Sequence, residues 1–383
     1  MSEFVTQIQQ DLVDARRRHD PVWDVRSLHP SLRELRLAYT TTGMPDFSTP
    51  QTRLTYALAY HPFHALAAHE VISQTAHLLP RGRDGVFTAV SLGSGPGAEA
   101  LALVRVLART NDSLRTIRLI LVDKEPGWER TRSTTLETTA RRWWSGGLEI
   151  EHVTADLARA EGRSRAYEAF PEADLVLAQA LLTEIKQGDE SINVLADLAT
   201  HFSAQGLLLI SDFAAMRGTI DWMSELDAHA SLRKVLGSRQ QFPMPLSTGD
   251  VAGLFANEDG LRQRRQVTVV SRLYSRPGWR PDTIPESSEF VPTDDQAAVL
   301  AAFEEFVTTE SASIFVLEGP AGSGKTEIMR RMVSIASSNG LIASLHAPTG
   351  QAAVRLSLRT GFPATTRSEE HTSELQSRQY LVC

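Results

Sequence analysis

Two glycine-rich segments hold the residues best suited to chemistry. The first, Gly93-Ser94-Gly95-Pro96-Gly97, follows an apolar run over 86–92 and precedes an Ala- and Leu-rich segment beginning at Ala98. Glycines there let the backbone turn sharply and let a ligand lie close against it. The next apolar run, 117–122, ends in Asp123, and Asp156 follows the third. A carboxylate at the end of the second run can accept bonds from both hydroxyls of a ribose. The second segment, 319–326, reads Gly319-Pro-Ala-Gly322-Ser323-Gly324-Lys325-Thr326 and fits G-x-x-x-x-G-K-[ST] in full. Its backbone N–H groups and helix N-terminus would bind phosphate oxygens, Lys325 would reach the terminal phosphates, and Thr326 would hold magnesium. ATP and Mg are therefore its expected ligands.

The elements that must position these groups follow from hydrophobic spacing. Residues 1–85 carry helical patterns, with Leu32, Leu35 and Leu37, then Tyr56, Leu58 and Tyr60, then an apolar run over 64–79 closed by Pro80-Arg-Gly82. Apolar strands at 86–92, 117–122, 148–153, 173–178 and 206–210 alternate with helical segments, which predicts parallel pairing in an α/β sheet. A later strand at 267–274 is expected to be one arm of an antiparallel pair. Four prolines within 277–292 mark a linker. Beyond it a helix over 294–307, a buried strand at 313–317, the phosphate loop, a helix over 326–337 and a strand at 342–346 open a second α/β unit. The predicted organisation is a helical region at 1–85, a sheet domain at 86–276, a linker at 277–290 and a nucleotide-binding unit at 291–366.

With Gly-x-Gly-x-Gly, Asp123 and Asp156 in this order, 86–274 resembles the class I S-adenosylmethionine-dependent methyltransferases. The resemblance implies a Rossmann-like sheet in which Gly93, Ser94, Gly95 and Gly97 pass the methionine part of S-adenosylmethionine. Asp123 would hold its ribose, Asp156 its adenine, and Gln179 would lie beside it. Residues 56–70 and 179–184 are also faintly similar to the branch associated with the small mitochondrial ribosomal subunit, although the cysteine clusters frequent there are absent. Gly93, Gly95 and Ala98 also fit Gly-x-Gly-x-x-Ala, so an NAD enzyme is an alternative, as is a methyltransferase fold kept only as a binding module. Pro292-Thr-Asp-Asp-Gln296 and Ala347-Pro-Thr349-Gly-Gln-Ala-Ala353, flanking the phosphate loop, resemble superfamily 1 helicases of the exonuclease V alpha-subunit type. That resemblance implies an adenine contact for Gln296 and a place on the single-strand path for Thr349. It covers 291–366 only. The acidic strand end, arginine finger and second motor lobe of such a machine do not follow, so the P-loop unit is expected to be incomplete, marginally stable and unable to unwind a duplex.

The sequence constrains the methyl acceptor by exclusion. Attack through C5 of a pyrimidine needs a cysteine nucleophile, and the one cysteine is the final residue, Cys383. The Asn-Pro-Pro-Tyr of amino methylation in DNA is replaced by Gln179-Ala-Leu-Leu. Methyl transfer otherwise needs in-line positioning, with a base only where the acceptor must lose a proton. Glu184, Asp212, His61 and His64 are candidate bases, though each residue type is more often solvated or satisfied in a core. Arg262, Arg264, Arg265, Arg272, Arg276 and Arg280 lie in a span without Asp or Glu. With Tyr274 and Trp279 they could hold a phosphate backbone and stack a base, or simply line an edge strand. Nucleic acid is therefore a candidate partner, with Arg262, Arg264, Arg265 and Thr349 as its contacts.

A chain of 383 residues with 42% hydrophobic residues and a net charge of −7 fits a two-domain globular protein and excludes a uniformly basic nucleic-acid binder. No segment approaches the ~18 apolar residues of a membrane span, and the start lacks a basic-then-apolar leader. No membrane partner and a cytoplasmic location are expected. Residues 367–383 are similar to the translation of a sequencing adapter, so this tail is expected to lie outside the natural fold.

Overall fold

The computed structural model describes residues 2–41, 45–181, 201–214, 219–247, 249–255, 265–279, 292–309, 314–319, 323–339, 341, 343, 345–347, 356, 360, 364–366 and 380–382. Two compact units divide the chain: Met1–Ile72 with Arg81–Pro277, and Ser73–Pro80 with Gly278–Cys383. Among the described residues no helix is long and apolar enough to cross a membrane.

The first unit begins with helices α1 (Ser2–Arg17), α2 (His29–Thr41), α3 (Pro50–Ala59) and α4 (His61–Thr75). Thr49 caps α3 by accepting from the Thr52 N–H, and Pro50 occupies its first turn, where a missing N–H costs nothing. The α/β sheet expected from the sequence follows: β1 (Val86–Leu92), α5 (Ala98–Thr110), β2 (Thr116–Asp123), short helices α6 (Trp128–Thr131) and α7 (Glu137–Ala140), and β3 (Gly147–Thr154). Then come α8 (Ala160–Tyr167), β4 (Leu175–Gln179), β5 (Leu207–Phe213), α9 (Thr219–Asp227), β6 (Arg233–Pro243), α10 (Gly249–Phe255) and β7 (Gln266–Ser275). Strand order is β3-β2-β1-β4-β5-β7-β6. All pairs from β3 to β5 are parallel, and β7 runs antiparallel to both β5 and β6.

Burial explains why the parallel strands were readable. Every residue of β4 is buried, as are six of seven in β1, because helices cover both faces. One core face gathers Val90, Ile120, Val176, Ile210, Met223 and Tyr274. The N-terminal helices are tied into this unit by polar bonds of long sequence separation. Asp11 on α1 receives Arg142 (2.7 and 3.1 Å) and the Thr139 hydroxyl (2.8 Å), while Gln9 donates to Ser247 (2.7 Å). Arg105 of α5 lies over the rings of both Phe4 and Trp143.

The expected antiparallel partner of β7 is present on both sides. β7 is therefore an interior strand, and β6 is the edge. Tyr274 is correspondingly a core residue: its hydroxyl donates to Asp227 (2.9 Å), and it cannot stack a base. Arg272 is also committed to Asp227 (3.3 Å), and Arg276 lies over Phe202.

In the second unit α11 (Asp294–Thr308) precedes β8 (Ile314–Val316), α12 (Lys325–Ser338), β9 (Leu345–Ala347), β10 (Ala364–Thr366) and β11 (Tyr380–Val382). Thr293 and Gln296 form a capping box that starts α11. One side of α12, with Ile328 and Met332, packs on Phe303 and Phe315, and Met329 and Val333 pack on Leu345. Strands pair in parallel as β10 with β9 and β11 with β8. β11 falls within the tail expected to lie outside the fold. The open side of β8 presents unpaired backbone groups, and the extended Tyr-Leu-Val segment satisfies them.

Candidate cofactor site

The loop after β1 is shaped by its contacts. Gly95 has φ +47°, and a Cβ placed on it would meet nothing within 4 Å, so open space lies over its backbone. Its N–H donates to Asp123 Oδ2 (2.7 Å), and the Glu125 N–H donates to Oδ1 (2.9 Å). Each carboxylate oxygen thus keeps acceptor capacity for a further donor. The loop and the carboxylate meet at the C-terminal ends of adjacent parallel strands, where open α/β sheets bind ligands. Asp156 follows β3, accepts from the Ala158 N–H (3.0 Å), and sits 3.4 Å from Arg159.

Arg132 holds this arrangement from beneath. Only 3% exposed, it donates through Nε to Gly95 O (2.7 Å) and through Nη2 to the Ser94 hydroxyl (2.8 Å), and it stands 4.0 Å from Asp123 Oδ2. Burial pushes the Asp123 carboxyl up, and its two backbone N–H bonds and Arg132 oppose that. Arg132 opens a π-helical turn, Arg132–Leu136, whose last residue also reaches the loop. Gly97 has φ +90°, and a Cβ there would come 2.6 Å from Leu136 Cδ1. One turn thus clamps both ends of the glycine segment.

A second buried acid lies below the loop. Glu99, in the first turn of α5 and 5% exposed, accepts a short hydrogen bond from the Ser91 hydroxyl. Burial pushes its carboxyl up to about 7. Glu99, Gln179 and Ser211 supply the polar lining of a cavity of about 10 Å³, room for about one water. Gln179 donates to the His64 carbonyl (3.0 Å), and its Oε1 is buried without a hydrogen-bond partner among the described residues.

The candidate bases are placed unequally. His61 is buried, and desolvation, with His64 adding to it, pulls its pKa down to about 3. It is held neutral inside the helical region. Asp212 is buried and accepts from the Phe213 N–H (2.7 Å). His64 is half-buried against Phe213 (ring centroids 4.9 Å apart) and shares a hydrogen bond with the Tyr56 hydroxyl (3.2 Å). Tyr56 in turn packs against Trp128, which follows Asp123 by five residues. Asp212 is the penultimate residue of β5 and His64 packs against the last, whereas Glu184 lies outside the described residues.

In the second unit Lys325 donates to Gly319 O (2.6 Å), and Gln296 donates to Ser323 O (3.1 Å) while accepting from the Thr293 N–H. Gly324 has φ +81°, and Thr326 lies in the first turn of α12. Gly322, Arg262, Arg264 and Thr349 lie outside the described residues. Arg265 is exposed beside β7.

Residues 293–380 match the family model of the AAA domain. No curated protein matches the chain. Among solved structures, the N-methyltransferase NodS from Bradyrhizobium japonicum, in complex with S-adenosyl-l-homocysteine, is similar at 12% identity and a TM-score of 0.35, over 65% of this chain and 98% of that one. A TehB-like S-adenosylmethionine-dependent methyltransferase from Corynebacterium glutamicum is similar at 14% identity and 0.35, over 60% and 100%. An arsenic(III) S-adenosylmethionine methyltransferase from Chlamydomonas reinhardtii gives 13% identity and 0.33, over 57% and 76%. These scores are too low to assign an activity.

Sequence spacing could not reveal Arg132 or Glu99. Arg132 lies 37 residues from Gly95, in a stretch without a motif. Glu99 looks like an ordinary acid at a helix N-terminus.

Proposed function

We propose that the first unit transfers a methyl group from S-adenosylmethionine to a nucleic-acid or nucleic-acid-associated acceptor. We also propose that the second unit binds ATP and Mg as part of a helicase-type motor. The observation that carries the first reading is the bond from the Gly95 N–H to Asp123 Oδ2, which joins a glycine turn, with open space over Gly95, to a carboxylate that keeps acceptor capacity. Asp123 would hold the ribose hydroxyls, Asp156 the adenine edge, and the backbone of Gly93 to Gly97 the amino-acid part. When bound, the cofactor supplies an electrophilic methyl on a sulfonium centre. The chain's own task is to hold donor and acceptor in line and keep water away. His64, which shares a hydrogen bond with Tyr56, would take the proton where the acceptor must lose one.

Calorimetric titration of the full chain tests this. Micromolar binding of S-adenosylmethionine that is abolished by Asp123→Ala supports the reading. Binding of NAD in its place would select the dinucleotide alternative, and binding of neither would leave the fold a docking module for the second unit. The acceptor is tested separately, by methyl incorporation into total RNA or DNA.

A further inference from the structure

A row of aromatic rings crosses the end of the sheet that holds the cofactor site. Tyr56, Tyr60 and His64 recur at steps of four across the junction of α3 and α4, so their rings share one side of the chain. Tyr60 stacks on Tyr56 (centroids 5.4 Å apart, planes at 25°), and the His64 ring lies 5.9 Å from Tyr56 and 6.3 Å from Tyr60. Beyond Tyr56 the row continues to Phe47 (5.1 Å) and Trp128 (5.8 Å), which also touch each other (5.5 Å). Beyond His64 it reaches Phe213 (4.9 Å). These separations are those of offset and edge-to-face pairs.

Both ends of the row are fixed to strands. Trp128 follows β2, and Phe213 is the last residue of β5. Between them Gln179, the last residue of β4, donates to the His64 carbonyl (3.0 Å). The strand order β2-β1-β4-β5 puts β1, and the glycine loop that follows it, inside this span. An acceptor must meet the methyl donor at that same end. Trp128 is buried and anchors the row, whereas Phe47, Tyr56, Tyr60, His64 and Phe213 are each half-buried and keep part of their surface open. Tyr39 meets the Tyr60 ring at 63° (6.2 Å), but the Tyr60 hydroxyl has no hydrogen-bond partner among the described residues.

We propose that this row binds the methyl acceptor through a flat, uncharged heteroaromatic ring of nucleobase type, with Tyr60 as its stacking residue. The proposal rests on the methyl-transfer reading of the glycine loop. Aromatic side chains take such a ring by its face and offer polar tips to its edge. Tyr60 supplies both, a ring within the row and a hydroxyl without a partner, and the candidate base His64 stands four residues further along the same side. The same ring chemistry comes from a free nucleoside or from a nucleotide in a strand, and the test separates the two.

The probes are 2-aminopurine riboside and a short single-stranded oligouridine carrying one 2-aminopurine, whose fluorescence is quenched on stacking. Each is titrated with the full chain in saturating S-adenosylhomocysteine, so that the purine does not report on the donor site. The parent should quench at least one probe. Tyr60→Leu keeps apolar bulk without a ring and should weaken binding about tenfold, while Tyr60→Phe keeps the ring and should retain the quenching. Where Tyr60→Leu fails to fold, saturation-transfer NMR on the parent decides: the riboside ring protons should receive magnetisation from aromatic protons of the protein, and transfer from aliphatic protons alone overturns the proposal. Unquenched fluorescence of both probes with the parent also overturns it, as does a folded Tyr60→Leu that binds like the parent, or choline that displaces the riboside at a lower concentration than adenosine does. Quenching of the riboside alone supports the aromatic site and counts against a strand as the acceptor. Failure of the methyl-donor reading shows instead in the calorimetric titration of S-adenosylmethionine.

Discussion

Glu99 should make the stability of the first unit fall as pH rises through neutrality, and Glu99→Gln should remove that dependence. Its carboxyl, on α5, faces a small cavity walled by α4, β4 and β5, with the Ser91 hydroxyl as its hydrogen-bond donor. Burial dominates and raises its pKa from 4.5 to about 7, against the opposing pull of the Ser91 bond and Arg132. Between those values the folded chain holds a proton that the unfolded chain has released. The stabilisation is therefore fully present below pH 4.5 and is lost as pH climbs through 7. A shift of about 2.5 units at 1.36 kcal/mol per unit gives about 3 kcal/mol. Glutamine keeps an oxygen for the Ser91 hydroxyl and never ionises. The stability difference between variant and parent should be flat below about pH 4.5 and should move in the variant's favour by about 3 kcal/mol by pH 8. Urea denaturation at several pH values measures it, and tryptophan fluorescence suits the purpose because Trp23, Trp128, Trp143, Trp144 and Trp222 all belong to the first unit. A pH-independent difference would refute the reasoning, since it would mean the carboxyl ionises inside the fold without penalty.

Arg132→Met should cost about 3–5 kcal/mol by stranding Asp123 without its buried partner, and should weaken S-adenosylmethionine binding. Arg132→Lys should recover only part, because one ammonium cannot reproduce the fork across Gly95 O and Ser94 Oγ; melting curves and titration check both. Gly97→Ala should cost about 1–3 kcal/mol through its positive φ and the Leu136 contact, and a double-mutant cycle with Leu136→Ala should recover the steric part. Lys325→Ala should abolish binding of a fluorescent ATP analogue while leaving methyl-donor affinity unchanged, and a loss of both would show that the two sites are coupled.

Much of the first sheet was legible because β1, β2, β4 and β5 are buried along most of their length and read as continuous apolar runs, three of them ending at Leu92, Asp123 and Gln179; the edge strand β3 has no buried residue and was legible from Leu148, Ile150 and Val153. β6 was not. Of its eleven residues only Val235 and Phe242 are buried, and its Arg-Lys, Gly-Ser-Arg and Gln-Gln stretches leave no apolar run to detect. The glycine loop and Asp123 are local signals, each set by the strand that precedes it. Arg132 and the Asp11 cluster are contacts closed only by tertiary folding, between residues 37 and 131 positions apart. The capping box at Thr293 and Gln296 is again local, spanning three residues, whereas the bond from Gln296 to Ser323 is closed only by folding.

The place of β7 in the sheet has a mechanical consequence. The chain leaves the first unit from Ser275, the buried last residue of a strand hydrogen-bonded on one side to β5 and on the other to β6. Tension applied through the following segment would load two ladders at once, along the strand direction, so their bonds would resist in shear rather than open one at a time as at a peeled edge. A pull from beyond Pro277 should therefore meet its highest resistance at the first displacement, before any part of the glycine loop is disturbed.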